Sequence, residues 1–208
     1  MIHFPVVIIV GAPRSGTKML LNCLVNLPGI GTWPCDEINY IWRHGNVRHP
    51  SDEFTREMAR PDVCKYIHQQ FKWIKRKYKL QTVVEKTCAN SLRIEFVDRI
   101  FPQAKYIFIR RHGIDAVGSA INRWKSKFEL MYTIRKARFV PFADIPYYSI
   151  SFLRNRIYKI FSREERLLYW GPKINNMDEL VNMYSLEELC AIQWKTCIEK
   201  ASGTLNRL

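Results

Sequence analysis

A segment near the start of the chain has the composition of an anion-binding loop. It runs from Gly11 to Lys18 and reads Gly-Ala-Pro-Arg-Ser-Gly-Thr-Lys. A β-branched run at residues 6–10 precedes it, and an apolar segment with helical periodicity follows at residues 19–27. A strand, a glycine-rich turn and a helix in this order aim backbone N–H groups and the positive end of the helix dipole at one point. The segment therefore predicts a phosphate-sized anion site that already contains an arginine, Arg14.

The order of the last loop residues counts against a nucleotide triphosphate loop. In that motif a Gly-Lys-Ser/Thr sequence places the lysine on the phosphates and the hydroxyl on Mg²⁺. Here the order is Gly16-Thr17-Lys18. A P-loop nucleotide kinase therefore remains the less favoured enzyme, and we expect no metal ion at this site.

A second candidate for anion binding lies at the end of another apolar segment. Residues 105–110 are predicted to form a buried strand, and Arg110 and Arg111 stand where it ends. An arginine at this position can make a forked, charge-assisted contact with a phosphate. Ser119, in the early turns of the helix predicted next, adds a hydroxyl donor.

The elements that position these residues alternate along the chain. Strands are predicted near residues 5–10, 81–85 and 105–110, with a weaker one near 31–33. Helices are predicted near residues 17–27, 62–79, 90–101 and 114–125. Such alternation is typical of the α/β class, in which a parallel sheet is flanked by helices in three layers. A later signal, Ser185 followed by Glu188, predicts a capping box at the start of the last helix.

The string Pro-Arg-Ser-Gly-Thr between a strand and a helix resembles the loop of sulfotransferases that use 3′-phosphoadenosine 5′-phosphosulfate (PAPS), nearest the bacterial and tyrosylprotein-type enzymes. The resemblance implies their P-loop-like fold, PAPS as co-substrate and no metal. Arg111 and Ser119 have the eight-residue spacing of the family's 3′-phosphate clamp, and Ser119 fits that spacing only with Arg111. The loop would hold the 5′-phosphosulfate through Gly11, Pro13, Arg14, Ser15, Gly16, Thr17 and Lys18.

The same resemblance implies catalytic roles for Lys86, Arg14 and Glu37. Lys86 follows the strand predicted to end at Glu85, and with Arg14 it would stabilise the charge that grows on the bridging oxygen. Glu37 would accept the proton of the acceptor hydroxyl, with Asp36 as the alternative base. The residues by themselves leave a second interpretation open, in which Asp36 is a helix N-cap and Glu37 a first-turn dipole charge.

The length of the chain suits one domain. We expect its 208 residues to form a single sulfotransferase domain, with a nucleotide-binding α/β core over residues 1–125. Residues 126–208 are expected to form a cover of helices and loops that is short at its C-terminal end relative to the family. The aromatic residues within 126–172 are expected to form a satellite core more than platforms for a sugar.

The composition indicates an anionic partner, because 33 Lys and Arg against 19 Asp and Glu give a formal net charge of +14. Nucleic acid is not expected, since the sequence has no zinc spacing, helix-turn-helix pattern or RNA-binding aromatic signature. Its six cysteines contain no CxxC pair and do not require an oxidising compartment. No signal peptide or transmembrane segment is apparent, so we expect a cytoplasmic bacterial enzyme, with peripheral membrane contact as a further possibility.

The sequence thus predicts transfer of a sulfuryl group to a hydroxyl or, less favourably, to an amine. It leaves the acceptor open among carbohydrate, lipid, peptide and small alcohol, and it leaves the oligomeric state open. The alternative from a different class is a non-catalytic member of the fold that binds a nucleotide or polyanion.

Overall fold

The computed structural model describes residues 2, 4–35, 37–126, 134, 136–162 and 166–208. Within these residues the sheet contains four parallel strands: β1 Val6–Val10, β2 Ile30–Gly31, β3 Thr82–Lys86 and β4 Lys105–Phe108. Their order across the sheet is β2-β3-β1-β4, so β1 is central and pairs with β3 on one side and β4 on the other. The predicted α/β class with a parallel sheet is confirmed.

Helices connect and follow the strands. The described helices are α1 Thr17–Val25, α2 Asn39–Arg43, α3 Pro61–Lys77, α4 Ile94–Ile100, α5 Gly113–Trp124, α6 Ile145–Phe161, α7 Met177–Met183 and α8 Leu186–Leu205. Short 3₁₀ turns span Arg56–Met58, Cys88–Leu92 and Phe142–Asp144. None of these helices combines the length and the apolarity that a membrane crossing requires.

The core explains why helices lie on both faces of the sheet. Successive side chains of a strand point to opposite faces, so β1 contributes to two separate clusters. Ile8 belongs to a large cluster with Phe71 of α3 and Phe96 of α4. Ile9, its neighbour, packs with Leu21 of α1. Both isoleucines are fully buried, so β1 is covered by helices on both faces, as a three-layer arrangement requires.

The last helix packs against α5 and closes a third cluster. Ser185 accepts a hydrogen bond from the Glu188 backbone N–H, and the Glu188 carboxylate accepts one from the Ser185 backbone N–H. This reciprocal pair confirms the predicted capping box. Farther along α8, the ring of Trp194 lies so close to Gly113 that a Cβ there would be 3.0 Å from the ring. The start of α5 is therefore held by direct backbone-to-ring packing.

The helix predicted over residues 90–101 begins later than expected. Cys88–Leu92 form a 3₁₀ turn, and α4 starts at Ile94. The side chain of Ser91 donates to the Cys88 carbonyl oxygen at 2.7 Å, and that of Asn90 donates to Glu85 at 2.7 Å. Short polar side chains that bond in this way compete with regular helical hydrogen bonding, which accounts for the delayed start.

Candidate active site

The glycine-rich loop lies where β1 ends and α1 begins. Gly11 lies so close to the residue that follows β4 that a Cβ there would be 2.7 Å from the Ile109 carbonyl oxygen. Gly16 caps α1 with φ +93°, and Arg14 also has a positive φ, +68°. Because the cap residue has no side chain, the first N–H groups of α1 are left for an outside acceptor. A non-glycine residue held at positive φ is typical of loops whose shape serves binding.

The remaining loop side chains divide between buried and exposed positions. Ser15 and Thr17 are buried, and the Ser15 hydroxyl has no hydrogen-bond partner among the described residues. Thr17 Oγ1 lies 3.7 Å from Cys88 Sγ, which joins the start of α1 to the turn after β3. Pro13 is buried near Gly171, whereas Lys18 is exposed. A buried hydroxyl without a partner fits a loop that receives an anion.

Arg14 reaches across the loop to Ser119. Its Nε donates to Ser119 Oγ at 2.8 Å, although the two residues are 105 positions apart. An Arg111 Nη donates to the Arg14 carbonyl oxygen at 3.3 Å. The guanidinium of Arg110 lies instead over the Phe108 ring, 5.7 Å from its centroid. Of the two arginines after β4, Arg111 is therefore the one that contacts the loop. It does so at Arg14, the same residue that bonds to Ser119.

Glu37 and Lys86 form an ion pair beside this loop. Lys86 Nζ lies 3.0 Å from Glu37 Oε1, and the Cys88 backbone N–H donates to the same oxygen at 3.3 Å. The lysine side chain is only 4% exposed, whereas that of Glu37 is 25% exposed. A carboxylate that opens to solvent and a buried ammonium thus share one side of the sheet's carboxyl edge.

Opposing forces act on the Glu37 carboxyl. Burial alone would raise its pKa, but the charges of Lys86 and Lys136 and hydrogen bonds from Cys88 and Lys86 outweigh it. The net effect lowers the pKa of Glu37 to about 2. Glu37 is therefore ionised at neutral pH, and its proton affinity depends on where the Lys86 ammonium lies.

The interpretation of Glu37 as a charge in the first turn of a helix is wrong. Helix α2 begins at Asn39 with Ile38 at its N-cap, and its first turn contains no acidic residue. Glu37 is therefore not a first-turn dipole charge, and the N-cap position is taken by Ile38. The alternative base, Asp36, lies outside the described residues.

A buried polar network behind this pair was not predicted from the sequence. Glu85, one residue before Lys86, accepts hydrogen bonds from Thr87 Oγ1 and Asn90 Nδ2. Thr87 Oγ1 in turn accepts from the backbone N–H of Ile38, 3.2 Å away, which fixes the chain next to Glu37. Asn90 accepts from buried Arg93 at 2.9 Å. The available signal was a glutamate that directly follows Val83 and Val84 in a predicted strand, since a buried carboxylate requires such partners.

This network has a consequence for stability. Burial raises the pKa of Glu85 to about 7, against lowering effects from Thr87, Trp42 and Arg93. The folded state thus holds the proton more tightly than the unfolded state, so the stability supplied by neutral Glu85 is lost as pH rises from 4.5 to about 7. Glu85→Gln stays neutral at every pH. Its free energy of unfolding should therefore rise relative to that of the natural chain by up to about 3 kcal/mol between these two pH values.

Urea unfolding at several pH values measures this difference. Glu95→Gln, at an exposed glutamate of α4, is the matched control and should show no such trend. A constant free-energy difference between the natural chain and Glu85→Gln at every pH would show that Glu85 titrates normally.

Comparison with known protein families gives a match that covers the residues of this site. A family model described as "Sulfotransferase family" matches residues 5–163. This range covers more than half of the chain and includes the loop, Glu37, Lys86, Arg111 and Ser119. A comparison with curated proteins gives no match.

Proposed function

The chain belongs to the sulfotransferase family, and on that premise we propose that it transfers a sulfuryl group from PAPS to a hydroxyl or, less favourably, to an amine. The observation that carries the proposal is the Glu37–Lys86 pair at 3.0 Å, next to the loop that opens α1. Sulfuryl transfer to a hydroxyl needs a base for the hydroxyl proton and positive groups for the negative charge that develops. A carboxylate can supply the first, and a buried cation and a helix N-terminus the second.

The residues present fit both anionic ends of the donor. The N-terminus of α1 and the buried Ser15 hydroxyl suit the 5′-phosphosulfate, because a helix N-terminus favours negative charge. Arg111 and Ser119 suit the 3′-phosphate, because a guanidinium and a hydroxyl are phosphate donors and Arg14 brings them together by contacting both. In this arrangement Arg14 lies between the two anionic groups and contributes to both.

Proton transfer and charge stabilisation fall to different side chains. Glu37 accepts the proton of the acceptor hydroxyl, whose oxygen forms a bond to the sulfur. The bond from that sulfur to the bridging phosphate oxygen breaks, and its electron pair leaves with 3′,5′-bisphosphorylated adenosine. Lys86 and Arg14 stabilise the negative charge that grows on this bridging oxygen. Atoms and charge balance without a further reactant.

The ion pair gives these events an order. While Lys86 contacts Glu37, the low pKa makes Glu37 a weak base, because basic strength falls with pKa. When Lys86 turns to the sulfuryl oxygens of the donor, Glu37 loses its largest stabilising charge while it stays partly buried. Its pKa then rises, so donor binding prepares the base.

The proposed 3′-phosphate clamp predicts a selective loss of affinity. Arg111→Ala and Ser119→Ala should weaken binding of 3′,5′-bisphosphorylated adenosine by about ten- to a hundredfold, as expected for a charge-assisted phosphate contact. Binding of the analogue without the 3′-phosphate should change little. Calorimetry with both nucleotides measures the difference.

Arg110→Ala is the matched control for the clamp, because Arg110 lies over the Phe108 ring and not against the loop. It should bind both nucleotides as the natural chain does. Equal losses for both nucleotides in Arg111→Ala would remove the clamp assignment.

A transfer assay tests the function as a whole. The protein is incubated with donor labelled in its sulfuryl group and a panel of carbohydrate, lipid, peptide and alcohol acceptors, with and without EDTA. We expect a sulfated product, identified by mass spectrometry, and no effect of the chelator. Donor binding without transfer to any acceptor would favour a non-catalytic binding protein. Loss of turnover in EDTA that Mg²⁺ restores would favour a phosphotransferase.

A further inference from the structure

Helix α6, Ile145–Phe161, is amphipathic, but its polar face points inward and its apolar face points to solvent. A helix on a protein surface usually has the opposite orientation. Apart from half-buried Arg156, its least exposed positions are polar or aromatic with a polar group: Tyr148, Ser151, Asn155, Tyr158 and Lys159. They recur every three or four residues and therefore share one face. No residue of this helix is buried.

Polar contacts hold that face to the rest of the protein. Asn155 donates to the Tyr169 carbonyl oxygen and accepts from its N–H, both at 3.0 Å. Lys159 Nζ donates to the carbonyl oxygens of Lys125 and Ser126 at 2.9 and 2.7 Å. Tyr148 packs edge-on against Tyr40 of the short helix after Glu37. The inward orientation of the polar face is thus set by specific bonds.

The opposite face is apolar and open. Ile150, Leu153 and Ile160 are 70%, 59% and 78% exposed, and Ile157 lies between them on the same side. Phe142, just before the helix, is 91% exposed, and Phe161 at its end is also exposed. The expectation that the aromatics of 126–172 form a satellite core is wrong for these two residues. An apolar stripe of this length on a water-facing surface indicates an interaction site.

The charges around the stripe identify the kind of partner. At about 100° per residue, Arg154 and Arg156 fall on opposite flanks of the apolar face. The helix contains three basic residues and no acidic one, in a chain of net charge +14. A second copy of this chain would bring like charges together, whereas an anionic lipid surface offers hydrocarbon to the stripe and phosphate to the arginines.

A second basic and aromatic cluster lies on α3 and contacts the segment before α6 through Phe139. Trp73 of α3 packs against Phe139, with ring centroids 6.2 Å apart, and Phe139 lies three residues before Phe142. Lys77 Nζ lies over the Trp73 ring, 4.7 Å from its centroid. Lys72 and Arg76 line the same shallow depression on α3. Tryptophan and lysine side chains in this combination suit the headgroup region of a bilayer.

We propose that α6 docks this protein onto an anionic membrane surface, with its apolar stripe in the headgroup region and Arg154 and Arg156 on lipid phosphates. The α3 cluster, defined by Lys72, Trp73, Arg76 and Lys77, adds a second contact. The helix lies in the plane of the surface and does not span the bilayer. The proposal does not depend on the chemistry of the Glu37 site.

Vesicle co-sedimentation of the full chain tests the docking. We expect binding to phosphatidylcholine vesicles that contain phosphatidylglycerol, much weaker binding to phosphatidylcholine alone, and weaker binding at high salt. The double variant Leu153→Ser/Ile157→Ser should lose at least about tenfold in affinity, since each side chain forfeits its transfer from water. Met183→Ser removes an apolar residue of α7 that is even more exposed than Leu153 and Ile157, and it is the control for the loss of an exposed apolar side chain outside α6.

The variants are expected to fold, because both side chains are exposed, and thermal melting verifies it. Two results would overturn the proposal. One is that the natural chain does not bind the vesicles, or that the double variant binds them as well as the natural chain does. The other is a dimer in solution that the double variant converts to monomer, since a second copy would then cover the stripe.

Discussion

Glu37→Gln is expected to remove most sulfuryl transfer while donor binding stays within a few-fold of the natural chain. Glutamine keeps the size of the side chain and can still accept from Lys86 and Cys88, but it cannot take the acceptor's proton. Loss of a general base typically lowers the rate by on the order of 10²–10⁴. The measurement is kcat for transfer, beside donor affinity by calorimetry.

The ion pair adds a stability effect that has to be separated from the catalytic one. Glu37→Gln leaves the buried Lys86 ammonium without its carboxylate partner, which we expect to destabilise the fold by roughly 1–3 kcal/mol. The double variant Glu37→Gln/Lys86→Met removes both charges and should recover most of this stability without recovering turnover. Asp36→Asn is the control for the neighbouring carboxylate.

These variants distinguish the two carboxylates. A fully active Glu37→Gln beside a folded but inactive Asp36→Asn would transfer the role of base to Asp36. If both single variants were active, neither carboxylate would be the base.

Lys86→Met is expected to lower kcat by on the order of 10²–10³, the usual effect of removing one preorganised group from a developing negative charge. It should also move the acid limb of the pH profile of kcat/KM for the donor to higher pH, because that profile reports the free enzyme, in which Lys86 contacts Glu37. Lys86 is the largest charge that lowers the pKa of Glu37, and without it burial raises that pKa with only Lys136 and the Cys88 hydrogen bond opposing. Both effects come from one ammonium group.

The pH profile is the decisive readout for Lys86, because a merely structural lysine would not shift it. Lys65→Met, at an exposed position of α3, controls for the loss of one positive charge and should leave kcat and the profile unchanged. A reduced kcat with an unmoved acid limb would mean that Glu37 does not titrate against Lys86. The proposed activation of the base by donor binding would then be wrong.

Local pattern alone predicted the parts of this protein that depend on near neighbours in the chain. The β-branched run, Gly11 and Gly16, and the periodic segment after them specify β1, the loop and α1, because side-chain periodicity, turn chemistry and helix hydrogen bonds depend on nearby residues. The capping box at Ser185 is equally local. The start of α4 was misjudged because Asn90 and Ser91 use their side chains in place of the first helical turn.

The candidate site residues could be named from the sequence, but their relations could not. The contact of Glu37 with Lys86 joins residues 49 positions apart, and that of Arg14 with Ser119 spans 105. The first contact exists because β2, which precedes Glu37, pairs with β3, and the second because β1 pairs with β4. No spacing along the chain encodes this strand order. The low pKa of Glu37 follows from the first of them.

Helix α6 shows the same division between sequence and tertiary structure. Its sequence makes it an amphipathic helix, since Ile150, Leu153 and Ile157 repeat at helical spacing. Which face turns inward was decided by partners far along the chain, such as Tyr40 and Tyr169, which bind the polar side. Periodicity determines that a helix has two faces, whereas only the packing of the folded chain determines which of them meets the solvent.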